Sequence, residues 1–218
     1  PDALPVFPVE ASIEIIEDAP LRTRLRLSLP QPDTLVLHRF YFPGWKAYVD
    51  GRASDCKPLG SLGLLAVHVP AGEHLVEFRM GSTAPRLLGN IVTALAALAI
   101  IAWAVRQRLL VGLSIAAGVL TLLLCLVAAR AALHPTIRKP VPLQAQLSDA
   151  VKLVAYATEQ QDDTLDVWLY WLALKPLPRD YKVFVHAVDP SGSTVAQHDG
   201  QPGNEFSPTT RWMPGELV

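Results

Sequence analysis

Charge is scarce in this chain, and where it is missing matters more than where it occurs. Lys, Arg, Asp and Glu make up 18% of the 218 residues and leave a formal net charge of −1. Nothing in that balance draws the chain toward nucleic acid or another polyanion. From Leu87 to Ala129 the only charges are Arg106 and Arg108. An ion path or proton relay needs ionisable groups within the apolar segment, so their absence there counts against a transporter. Cysteine is nearly missing too. Cys56 lies in a polar stretch and Cys125 inside an apolar run. A disulfide requires Cα atoms within about 7 Å, which those settings make implausible. Neither cysteine has a CxxC or Cys/His spacing, so no thiol metal site or redox motif is present.

Long apolar runs, by contrast, are present in force. Half of the chain is hydrophobic and the mean hydropathy is +0.27. The excess is concentrated in two uncharged runs, 87–105 and 109–129, joined by Arg106-Gln107-Arg108. About 20 apolar residues suffice to cross the hydrocarbon core as a helix. Backbone groups in lipid must be satisfied within the segment, so the runs are expected to form a transmembrane α-hairpin. Basic residues at the turn favour a cytoplasmic 106–108 and place both flanks outside the cytoplasm. Asn90, Thr93, Ser114 and Thr121 are the notable polar groups of the spans. They are expected to bond along or across the hairpin.

The flanks read as β structure. Leu25, Leu27 and Leu29 alternate with Arg22, Arg24 and Arg26, a period of two that marks a strand with one wet face. Leu21 continues the apolar row, and strands follow at 35–41, 63–69 and 75–80. Asp50-Gly51 suits the positive-φ positions of a tight hairpin. Beyond the runs, 164–172 alternates and carries Trp168 and Tyr170 opposite Leu169 and Trp171, and 181–188 pairs with 194–198. The expected fold is mainly β with a transmembrane α-hairpin: two β-sandwich domains joined by two membrane helices. Residues 1–10 form a linker, 11–83 the first sandwich, 130–142 a second linker and 143–218 the second sandwich. Ends without a leading methionine, and a last segment that stops inside a strand, read as cuts in a longer polytopic protein.

Two stretches resemble a known family. Phe40-Tyr41-Phe42-Pro43-Gly44-Trp45-Lys46-Ala47-Tyr48-Val49-Asp50-Gly51, then Val69-Pro70-Ala71-Gly72-Glu73-His74 and a membrane helix, resembles the extracytoplasmic domain of YfhO-like bacterial membrane proteins. Those multi-pass proteins are allied to the GT-C glycosyltransferases, and relatives carry a pyruvoyl-tetrahydropterin synthase-related label. Val183-Phe184-Val185-His186, Asp189, Gln197-His198-Asp199-Gly200-Gln201-Pro202, Pro208-Thr209, Arg211-Trp212 and Pro214-Gly215-Glu216 look like a β-sandwich module at the C-terminus of bacterial multi-pass glycosyltransferase-like proteins. The resemblance implies an extracytoplasmic accessory region in the cell membrane that positions or binds a glycan or polyprenyl-linked sugar beside the remaining transmembrane bundle of its parent chain. GT-C enzymes carry their catalytic acid on a loop near the N-terminus. Nothing here aligns with that loop, so no catalytic residue is assigned, and whether the parent is an enzyme stays open. The synthase label implies a zinc held by histidines, but His38, His68 and His74 lack a matching spacing. No metal and no cofactor are expected.

The ligand-binding candidates are aromatic: Trp45, Trp168, Tyr170 and Trp212. An aromatic face complements the apolar face of a sugar ring, although for Trp45 in its Pro-Gly-Trp turn the plug at one end of a sandwich outweighs it, since a buried aromatic already has a large hydrophobic reason to be there. Trp168 and Tyr170 put aromatics on both faces of one strand, so one face packs on a neighbouring domain or on a ligand. His186, Asp189, His198 and Asp199 follow strand–turn–strand spacing, which brings polar groups together without a metal. Asp162-Asp163 belongs to a solvated turn. The competing function is a non-catalytic, membrane-anchored β-sandwich protein for protein–protein interaction or envelope assembly.

Overall fold

The computed structural model describes residues 7–106, 110–132, 137–202 and 207–218, without the side chains of 104, 110–113, 115–116 and 128–132. The turn residues 107–108 and parts of both expected linkers lie outside the described residues. The chain divides into a β unit, built from Pro1–Arg79 and Ile137–Val218, and a helical unit, Met80–Thr136.

Among the described residues, fourteen strands form the β unit. The first eight are β1 (Ser12–Ala19), β2 (Arg22–Leu29), β3 (Asp33–Phe40), β4 (Trp45–Val49), β5 (Arg52–Ser54), β6 (Cys56–Leu59), β7 (Leu64–Val69) and β8 (Gly72–Met80). After the helical unit come β9 (Val141–Gln146), β10 (Val151–Gln161), β11 (Thr164–Ala173), β12 (Val183–Val188), β13 (Thr194–Gly200) and β14 (Glu216–Leu217). A five-stranded sheet runs β1-β2-β8-β4-β5, a seven-stranded sheet β6-β7-β3-β14-β11-β10-β9, and β12-β13 stand as a hairpin. β1 lies against β9 and β10, and β4 against β6.

The alternation in β2 does what its period predicts. Leu25, Leu27 and Leu29 are buried, while Arg22 and Arg26 on the other face reach Glu77 and Glu73 at 3.2 Å. Leu21 departs from the expectation. It sits in the turn before the strand at 55% exposure, and Thr23 occupies the inward position instead. Asp50-Gly51 forms the β4–β5 hairpin with φ of 51° and 75°, as a tight turn requires.

The two flanks do not fold as two separate sandwiches. The seven-stranded sheet takes β3, β6 and β7 from one flank and β9, β10, β11 and β14 from the other. The joint is β14, parallel to β3 through Glu216↔Val36 and Leu217↔Leu37 and antiparallel to β11 through Leu172↔Leu217. Exposed strand edges invite pairing, and here each flank's edge is covered by the other's chain. Further ties cross the same divide: Phe7 N–H donates to Leu174 C=O at 2.8 Å, Lys152 Nζ to the carbonyl of Val9, and Gln144 Nε2 to that of Ile13.

Gly215 makes the joint possible. Its N–H donates to Ala173 C=O at 2.8 Å and its C=O accepts from Val36 N–H at 2.9 Å. It holds a φ of 79°, and a Cβ there would stand 2.5 Å from Thr34 O and 2.7 Å from Phe7 Cδ2.

The helical unit contains α1 (Ala84–Arg106) and α2 (Leu110–Ala132), which contact each other. Ala84–Trp103 is long and apolar enough to cross a membrane, with a mean hydropathy of 1.8 and none of it buried. The apolar stretch described within α2, Ala117–Val127, is shorter. The expected second crossing, 109–129, rests partly on side chains outside the described set. Thr93 and Thr121 donate to the carbonyls of Gly89 and Ala117 at 2.8 Å, so both hydroxyls are satisfied within their own helices.

Gly215→Ala is expected to cost about 3 kcal/mol or more, because backbone strain and a backbone clash coincide. Gly51→Ala, with a similar φ of 75° and nothing within 4 Å, is expected to cost only about 1 kcal/mol. Denaturant unfolding of the two variants checks the difference.

Candidate functional site

A cleft of about 860 Å³ opens in the β unit, with residues of β3, β11, β13 and β14 on its walls. It therefore lies along the joint between the flanks. Its lining includes the rings of Phe40, Trp168, Tyr170 and Trp171 and the polar residues Asp18, His38 and Arg39.

Asp18 reaches this position through a fault in β1. The pairing with β2 slips between Ile15 and Glu17, a bulge that reverses which residues face inward. Asp18, otherwise on the wet face, becomes 8% exposed and stands opposite Thr23. A buried carboxylate must be paired, and this one is. Arg39 Nη2 donates to Oδ1 at 2.6 Å, Thr23 Oγ1 donates to the same oxygen at 3.1 Å, and the Tyr170 hydroxyl donates to Oδ2 at 3.1 Å. Arg138 Nη1 stands 3.8 Å from Oδ2, and the backbones of Asp18 and Arg138 exchange hydrogen bonds of 2.9 and 2.8 Å. Arg39 Nη1 donates to the carbonyls of Ala19 and Pro20 at 2.6 and 3.0 Å. Burial, and then the Asp18 charge, push the Tyr170 phenol well above its ordinary value, so it stays protonated as a donor.

A second buried carboxylate comes from the joint itself. Glu216 is 1% exposed; its Oε2 accepts from Met213 N–H at 2.8 Å and its Oε1 lies 2.5 Å from His38 Nδ1. An ionised carboxylate there accepts from the Nδ1–H of His38. His38 lines the cleft.

The sequence candidates divide. Trp168 and Tyr170 line the cleft, and the Arg138 guanidinium lies over the Trp168 ring at 4.0 Å from its centroid. Trp45 is 7% exposed, consistent with the plug and not with an open stacking face. Trp212 is 3% exposed in a core cluster with Trp171 and Leu177, its indole donating to Ser207 C=O at 3.2 Å; its accessible edge lines a smaller, mostly apolar cavity of about 400 Å³.

The four polar residues of the β12–β13 hairpin do not converge. Asp189 binds its own turn through Ser191 and Ser193 N–H groups at 2.8 and 2.9 Å. His186 and Asp199 stand 3.8 Å apart. Among the described residues no group of three or more His, Cys, Asp or Glu could hold a metal. Asp162 turns the chain between β10 and β11 with a φ of 51°.

No protein-family model, curated protein or solved structure matches the chain. The cleft therefore has to be read from its own chemistry. Asp18, Arg39, Arg138 and the His38–Glu216 pair were not among the sequence candidates. A local signal for Asp18 is the imperfect apolar–polar alternation of Ser12-Ile13-Glu14-Ile15-Ile16-Glu17, which the bulge explains. Nothing local signals a pair separated by 178 positions.

His74, by contrast, caps a turn away from the cleft. Its Nδ1 lies 2.7 Å from Asp50 Oδ2 and its Nε2 3.1 Å from Ala71 C=O, so both nitrogens face acceptors. The hydrogen bond to Asp50 raises the imidazole's pKa, and the same bond lowers that of Asp50.

Two outcomes are expected. Tyr170→Phe removes one donor to Asp18 and should cost about 1–2 kcal/mol, whereas Arg39→Ala strips the buried carboxylate of its ionic partner and should cost about 3 kcal/mol or more; thermal unfolding separates them. The His74–Asp50 contribution is fully present below the ordinary imidazole value of 6.5 and is lost as pH rises through the raised folded value. It is likewise present above the ordinary carboxylate value of 3.8 and lost as pH falls through the lowered folded one. A small stability maximum between those limits, flattened in His74→Ala, is the pattern to look for in Tm against pH.

Proposed function

We propose that this chain is the extracytoplasmic accessory region of a multi-pass, glycosyltransferase-like membrane protein, and that the cleft binds a glycan or polyprenyl-linked sugar while chemistry proceeds elsewhere in the parent chain. The observation that carries the reading is the cleft: about 860 Å³, lined by Phe40, Trp168 and Trp171 together with Asp18, His38 and Arg39. Concave sites that combine aromatic walls with a few fixed polar groups are the usual form of small-ligand sites. Phe40 is 59% exposed and offers an unblocked ring face. The apolar span Ala84–Trp103 supports a place at the membrane. The multi-pass setting and the extracytoplasmic side follow from the resemblance and from the basic turn. No catalytic role is assigned to the cleft.

The second reading, a membrane-anchored β-sandwich for protein–protein interaction or envelope assembly, is favoured by one surface. Phe184, Val188 and Val195 on the β12–β13 hairpin are 65%, 61% and 66% exposed. Such apolar exposure on a hairpin is a feature of contact surfaces.

A glycan array probed with the full chain in detergent distinguishes the two. Retention of a saccharide, weakened about tenfold or more in Trp168→Ala through the loss of aromatic contact, is expected. Retention of no saccharide by the unmodified chain would leave the assembly reading in its place.

A further inference from the structure

The chain leaves the β unit after Arg79 and returns at Ile137. Strand register puts both points at one end of that unit. Arg79 pairs with Arg22, and Phe78 with Thr23. Thr23 in turn pairs with Asp18, whose backbone exchanges hydrogen bonds with Arg138.

Other turns of the β unit fall at the same end. The β1–β2 turn carries Leu21, beside the Arg22–Arg79 pair. β3 ends there as well, since Arg39 Nη1 donates to the carbonyls of Ala19 and Pro20 at that turn. Phe40, the last residue of β3, pairs with Leu64, and Leu64 pairs with Leu59 across the β6–β7 turn. Phe42 follows, and its carbonyl accepts from Trp45 N–H at 3.1 Å where β4 begins. Among residues 7–79 the exposed large apolar side chains are Leu21, Phe40, Phe42 and Leu59, and all four lie at this end. The opposite end, made by the turns at 30–32 and 70–71, exposes none within that stretch.

A one-sided apolar rim marks a contact surface. The course of the chain says what covers it. Only residues 81–83 join β8 to the apolar span Ala84–Trp103. Four Cα steps reach at most about 14 Å, so this end cannot stand away from any bilayer that the span crosses. Charges of both signs flank the rim. Lys46 and Lys139 are exposed, and the β10–β11 turn with Asp162 and Asp163 runs past the same end, because Leu172 is level with Leu217 and Leu37. What the rim itself offers is apolar contact.

We propose that this rim is a bilayer contact, with Leu21, Phe40, Phe42 and Leu59 entering the boundary between headgroups and acyl chains where the span departs. The proposal rests on the reading of Ala84–Trp103 as a membrane crossing and adds a second attachment to it. The contact fixes the tilt of the β unit against the lipid surface, which a tether alone would leave free. Phe40 also lines the cleft, so a lipid-linked ligand would meet rim and cleft together.

The test uses the full chain carrying Cys56→Ser and Cys125→Ser, reconstituted in phosphatidylcholine nanodiscs. A nitroxide is attached in turn at Leu21→Cys, Phe42→Cys, Leu59→Cys, Gln31→Cys, Ala71→Cys and Leu95→Cys, all exposed positions whose labelling leaves the core untouched. Collision with oxygen, which concentrates in lipid, is compared with collision with a water-soluble nickel chelate. Leu95→Cys, within the span, is expected to favour oxygen, and Gln31→Cys and Ala71→Cys to favour nickel. The three rim positions should favour oxygen. Phe42→Ser should lower the oxygen preference read at Leu21→Cys and leave that at Leu95→Cys unchanged. Nickel preference at the rim with oxygen preference at Leu95→Cys overturns the inference and leaves the membrane crossing standing. Low access of both reagents to the rim marks burial against protein and overturns it too. Nickel preference at Leu95→Cys overturns the inference and the crossing together.

Discussion

The structure depends on a strand of two residues. β14 lies between β3 and β11, and its backbone bonds, with those of Gly215 and Val218, close one sheet from two lengths of chain that the helices separate. Trp171 and Val218 exchange hydrogen bonds of 2.8 Å, while Gly215 bridges Ala173 and Val36. Without that insertion the edges of β3 and β11 would both present unpaired backbone groups. Glu216 belongs to the same strand, so the joint also delivers the carboxylate that orients His38. Fold and site share one cause.

The second constraint is the placement of carboxylates in the interior. Asp18 and Glu216 are each almost withdrawn from water, at 8% and 1% exposure. Burying such groups is tolerated only with partners, and breaking one side of a buried pair costs more than the pair contributes. Asp18 draws on four side chains from β2, β3, β11 and the segment before β9, so its satisfaction requires both flanks to be docked. This polar cluster therefore enforces the docking that the apolar core permits. Beside it the cleft presents aromatic rings for a ligand to meet.

Most of the strands were legible in the sequence because alternation is local. β2, β11 and the β12–β13 hairpin announce themselves by period and turn chemistry, and Asp50-Gly51 adopts the geometry its composition demands. The apolar helix was legible for the same reason. The joint was not. Two residues carry no periodicity, and a pairing of Leu217 with Leu37 spans nearly the whole chain. Sequence reasoning therefore drew a boundary at the helices and gave each flank its own sandwich. Of the four aromatic candidates, Trp168 and Tyr170 line the cleft, on a strand whose rings on both faces need a second neighbour. Trp45 and Trp212 proved to be core residues, a distinction that composition alone does not make. Asp18 was hidden by a bulge, since one extra residue exchanges the inner and outer faces of everything after it.

The central claim is that the two flanks form one cooperative body, joined at β14. Trp45 lies in the first flank, and Trp171 and Trp212 lie in the second; all three are buried. Single-tryptophan variants that retain Trp45 or Trp212 alone, unfolded by denaturant in detergent micelles, report each flank separately. The account predicts coincident transitions with the same midpoint and slope. Two separated transitions, one for each flank, would contradict it.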